Sequence, residues 1–237
     1  MDRLHCLPGF LGKTFQKISM LSARHRFKAD MRDLQKQVQD NKLPEFLESV
    51  PFWKPHLWTN RYLSISLDMN NCYNLATNRR DSTWLVPGCI HAPRKIGAPP
   101  SPEADDTRMD NRAYRDFICK GVRLDKLRAL GSSFTGCSAG EHPVALFIKP
   151  KKSLEDKEND FHWFAPRVVH HDTHIEEVIW VHKAGIRRDA QEVPRSADGL
   201  YDIFAEASRR GYTDFVGFYA VPDSIQKERH ALWYLGL

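Results

Sequence analysis

Strand patterns crowd into the second half of this chain, while its first 50 residues carry only helical periodicity. Leu11, Phe15, Ile18 and Leu21 recur at helical spacing, and Met31, Leu34 and Val38 continue the row. Val144 to Ile148 (VALFI) reads as a fully buried strand, and Phe161 to Phe164, Val178 to Val181 and Phe215 to Val221 as further strands. Helical periodicity returns from Ala113 to Leu130, broken at Gly121, and again around Leu200 to Arg209. Helices first and strands later predict an α+β body on a mainly antiparallel sheet. The aromatic, proline-punctuated connector from Pro51 to Trp58 sets the boundary between a helical, basic extension (1–58) and the α+β domain (59–237).

Charge is concentrated in that extension. Arg3, Lys13, Lys17, Arg24, Arg26 and Lys28 face Asp2 alone in residues 1–29, which accounts for the whole net charge of +5. A nearly neutral body argues against nucleic-acid binding, which needs a basic surface at the site. The basic helix packs on the domain as part of a helical hairpin, or serves as a sorting peptide or membrane-surface helix. No secretory signal peptide or transmembrane segment is predicted, since no apolar run approaches the roughly 20 residues of a span. Cys6, Cys72, Cys89, Cys119 and Cys137 are an odd set without a CxxC pair, so a reducing compartment is expected, a cytoplasm or a host cytosol.

Asn71-Cys72-Tyr73-Asn74-Leu75-Ala76 follows an alternating tract, Tyr62 to Asp68, that suits a short strand. Asn70 and Asn71 are good N-caps, and nothing from Tyr73 to Arg80 breaks a helix, so Cys72 is expected in a first helical turn. Unpaired N–H groups there favour a thiolate. A thiol hydrolase also needs an imidazole and a third polar group to orient it. His142 immediately precedes the VALFI strand, and Asp160 and His162 begin the strand that would pair with it.

These residues carry a resemblance. The NCYNLA stretch followed by Trp84-Leu85-Val86-Pro87-Gly88 looks like the N-C-Y-N-Y-A … F-A-Q-P-G pattern of a group of bacterial and phage-type proteins. Their later signature approximates H-V-x-A-L-V-I, D-F-H-W-Y-R, W-S-H-K-P-G and Y-x-x-F-x-G-Y. This chain has His142 to Ile148, Asp160 to Phe164 (DFHWF), Trp180 to Gly185 (WVHKAG) and Tyr212 to Phe218 in the same order. That group is similar to the papain-like CHAP and NlpC/P60 cysteine hydrolases. The resemblance implies a papain-like fold with a helix-borne cysteine on the sheet, Cys72 as nucleophile and His142 as base. Pro143, Leu75 and Ala184 depart from the pattern, and Pro166 to Ile179 is longer than its counterpart, an expected insertion.

The catalytic set is therefore Cys72, His142 and Asp160 or His162, with His182 as a second candidate base. Asn71, Tyr73, Trp84, Trp163 and His182 are candidate substrate-binding residues. His170 and His174, with His171 and Asp172 nearby, would share a face if helical, but a charged surface loop explains them better, so no metal site and no cofactor is expected. The expected activity is cleavage or transfer at an amide, isopeptide or thioester bond of a peptide or protein substrate, as an effector if delivered to a host. The alternatives are a non-catalytic interaction module on the same fold, or an ADP-ribosyltransferase using Arg123, Ser132 to Thr135 and Glu176-Glu177.

Overall fold

The computed structural model describes residues 10–58, 70–79, 85–91, 109–152, 159–171, 174–185 and 188–225, without the side chains of 10–19 and 56. Four α-helices, α1 (Phe10–Gln39), α2 (Cys72–Ala76), α3 (Asn111–Leu124) and α4 (Ile203–Arg209), are joined by short 3-10 turns at Glu45–Ser49 and Pro55–Trp58. Six strands follow the third helix or flank the fourth: β1 (Arg128–Gly131), β2 (Glu141–Lys149), β3 (Asp160–His171), β4 (His174–Lys183), β5 (Ala190–Glu192) and β6 (Asp214–Pro222). They form one antiparallel sheet in the order β1-β6-β2-β3-β4-β5. The chain is α+β, as its pattern order predicts. Among the described residues no helix is long and apolar enough to cross a membrane.

The VALFI run is continuous because β2 is covered on both faces. Val144, Leu146 and Ile148 join Trp163, Tyr73, Ile118 and Val122 on the side of α2 and α3. Ala145 and Phe147 join Phe27, Trp180, Phe204 and Phe218 on the side of α1 and α4. Phe27 lies within 6.0 Å, centroid to centroid, of all three of those last rings and of Phe134. Such aromatic contacts add to the burial of large apolar areas.

Residues expected to form an extension thus complete the main core. Phe27, Met31 and Leu34 of one 30-residue helix pack there, with Phe46 and Leu47 of the 3-10 turn that follows it and its C-cap Val50, in place of a helical hairpin. Arg24 pairs with Asp202, and Lys28 and Arg32 with Asp198, so this part of the basic face is turned onto the domain. Residues 51–53 run beside β3, with Trp53 N–H donating to the Val168 carbonyl at 2.9 Å.

Two local expectations change. The inserted run from Pro166 to Ile179 supplies the outer ends of β3 and β4, so His170, His171 and His174, expected in a surface loop, are strand residues; these strand ends are exposed and need no apolar alternation. Gly121 does not break α3, which ends at Leu124, while Arg128 to Leu130 of the expected helical run lie in β1. Position 121 is glycine because a Cβ there would collide with the Pro87 carbonyl where α3 packs on the turn at Gly88. The expected strand from Tyr62 to Asp68 lies outside the described residues.

This contact makes a prediction. Gly121→Ala should lower stability by about 1–3 kcal/mol through overpacking, although alanine alone favours a helix by about 1 kcal/mol. The urea unfolding midpoint measures it; an unchanged or raised midpoint would contradict the close approach.

Candidate functional site

Cys72 opens α2, as expected. The Asn71 side chain accepts from the Tyr73 and Asn74 amides, and the Asn74 side chain accepts from the Asn71 amide, a reciprocal cap. The helix stops after five residues, where Thr77 bonds back to the Tyr73 carbonyl and Asn78 turns left-handed at φ 51°. Asp125 then fixes the helix in space. Its carboxylate accepts from Tyr73 Oη at 2.8 Å, from the Ile90 amide at 2.8 Å and from the Gly88 amide.

Cys72 is 5% exposed, and its sulfur donates to the Phe161 carbonyl at 3.9 Å. Burial and then the nearby Asp160 carboxylate push the thiol up to about 12. This reverses the expected thiolate, because a five-residue helix has little dipole to set against desolvation.

His142 is placed elsewhere. Its Nε2 donates to the Ala76 carbonyl at 2.8 Å, at the C-terminal end of the helix that Cys72 begins. The Arg167 guanidinium donates to the neighbouring Leu75 carbonyl at 2.5 Å. Together the two satisfy helix-end carbonyls that would otherwise be buried without donors. Phe161, beside the sulfur, is paired with Ile148, six residues along β2 from His142, or about 20 Å of strand. In this arrangement His142 is an anchor of α2, not the partner of Cys72. Burial, outweighing the bond to Ala76, lowers its pKa to about 3.

The other imidazoles form a chain on the α4 side of the sheet. His162 Nε2 is 2.9 Å from His182 Nδ1, and His182 Nε2 is 3.3 Å from Glu206 Oε1. Arg209 and Arg210 also bind Glu206. Tyr212 stacks on His162 with centroids 4.9 Å apart, and its hydroxyl donates to the exposed Asp160 at 2.5 Å. Burial drives both histidines down, helped at His162 by His182 and Arg210 and at His182 by Arg210. The strand segment 160–163 therefore touches Cys72 through its backbone and holds Asp160, Tyr212 and the His162–His182–Glu206 chain through its side chains.

Of the expected substrate contacts, Asn71, Tyr73, Trp163 and His182 are all buried, at 4% exposure or less, and the first two spend their polar atoms on the scaffold. They do not line an open groove. Trp84 lies outside the described residues. Sequence reasoning missed Tyr212 and Glu206; Tyr212 sits in a quoted motif, but nothing local marks Glu206. No group of three or more metal-ligating side chains forms among the described residues. Neither a family model, a curated protein nor a solved structure matches the chain.

The three buried histidines fix a pH dependence. Each is neutral in the fold and titrates near 6.5 when unfolded, so stability is whole above about pH 7. It falls as pH drops through 6.5 toward the depressed folded values, by up to about 4 kcal/mol per pH unit for three protons. His142→Gln should remove about a third of that slope. Urea midpoints from pH 7 to 5 test this; equal slopes would place a charged His142 in the fold.

Proposed function

We propose that this chain is a papain-like thiol hydrolase or acyltransferase acting on a peptide or protein, with Cys72 as nucleophile and His162, rather than His142, as base. One observation carries the reading: the strand segment whose Phe161 carbonyl contacts the Cys72 sulfur also bears, on its other face, His162, whose ring lies 2.9 Å from His182 Nδ1. Buried chains of titratable groups are costly and concentrate at working sites.

In the proposed reaction the sulfur attacks the acyl carbon and its proton passes to His162. His182 and Glu206 orient that ring and steady its charge. The Cys72 amide, at the helix start, donates to the oxyanion. Collapse of the tetrahedral intermediate breaks the acyl bond, and the amine or thiol leaves with the proton from His162. Water, or an acceptor amine in a transferase, then attacks the thioester with His162 again as base, regenerating the thiol.

The resting geometry is closed: the sulfur faces the Phe161 carbonyl on the α2 side of the sheet, while His162 lies on the α4 side against Tyr212. Catalytic hydrogen bonds commonly form only with substrate bound, so the start of β3 must turn, with opening of the Tyr212–Asp160 contact, before His162 meets the sulfur. A second reading, a non-catalytic interaction module on this fold, is favoured by the buried sulfur and its raised pKa.

Iodoacetamide labelling of the full chain from pH 6 to 9, mapped by mass spectrometry, separates the two. An assisted thiol labels at pH 7, and His162→Ala slows Cys72 at least about tenfold without changing Cys89. An unassisted thiol labels about tenfold faster with each pH unit across that range. That profile, together with indifference to His162→Ala, would overturn the hydrolase reading.

A further inference from the structure

We propose that His171 and His174 together bind one divalent transition-metal ion at the tip of the β3–β4 hairpin. The sequence offers His170 and His174 as a pair only on a helix, but the segment is a hairpin, and its register brings a different pair together. His171 and His174 are direct cross-strand partners, and both are exposed. Residues directly opposite in an antiparallel pair project to the same face, with Cβ atoms about 4.5–5.5 Å apart. Two imidazoles at that separation can converge on a single ion. Neutral imidazole nitrogen suits zinc, nickel and copper.

His170 is excluded from the pair. It is the partner of Ile175, one position along the strand and hence on the opposite face, and its ring packs edge-on against Phe52 at 4.4 Å. Two protein ligands leave coordination positions for water or for a donor on another molecule. The site is thus of the open kind and not a closed structural centre. It is also remote from the proposed thiol chemistry, since His171 lies ten residues, or about 33 Å of strand, from Phe161.

Titration of the full chain with zinc chloride, followed by calorimetry and by the imidazole nitrogen resonances, tests the site. The expected result is saturable binding of one ion that shifts the resonances of His171 and His174. His171→Ala and His174→Ala should each weaken binding at least about tenfold, while His170→Ala and Cys72→Ala leave it unchanged. All four positions except Cys72 are exposed at the hairpin tip, and circular dichroism of each variant verifies the fold. Binding that survives His171→Ala/His174→Ala, or that is lost equally in His170→Ala, would overturn the pair as the ligand set. Absence of saturation up to about millimolar zinc would overturn the site itself. Either result leaves the Cys72 labelling experiment unaffected.

Discussion

The covering of β2 and β3 on both faces is the constraint on which the remaining architecture depends. A strand buried on two sides keeps the polar groups near it from water, so most find a partner inside the protein, although Trp163 Nε1 and Arg167 Nε make no hydrogen bond among the described residues. Phe27, Trp180 and Phe218 fill one face and Tyr73, Trp163 and Val122 the other. Between these layers the polar residues sort by face. Asp125 and His142 serve the side of α2, and His162, His182 and Glu206 serve the side of α4.

The same logic explains a five-residue helix in a fully buried setting. Alone, so short a helix is not stable. Here its first amides are taken by Asn71, its last carbonyls by Arg167 and His142, and its Tyr73 by Asp125. Arg167 has no carboxylate among its hydrogen-bond partners; burial draws its pKa down to about 9, and the helix-end carbonyls supply the compensating negative potential. A helix held this firmly fixes the position of Cys72 while hiding its sulfur. The proposed chemistry therefore turns on mobility at Tyr212 and Asp160 and not on α2.

The resemblance to papain-like hydrolases pairs the helix-start cysteine with the strand-start histidine. In this structure Cys72 opens α2, and the His142 ring meets the other end of that helix. Sequence order alone could not resolve this, because it does not say which way so short a helix lies along β2. The His162–His182 contact was likewise hidden, as it requires the register in which Phe164 lies opposite His182.

The sequence by itself determined the α+β class, the buried central strand, the Asn71 cap and the start of α2 at Cys72. Each of these rests on local patterns, namely continuous apolarity, turn residues and a side chain within reach of its own backbone. Only the tertiary structure decided that residues 20–50 contribute to the core, that Gly121 marks a close approach, that His171 and His174 are paired across two strands, and which histidine meets which partner. Those outcomes depend on strand register and on contacts between residues far apart in the chain, where one shift of a single position exchanges the faces of a strand and every side chain on it.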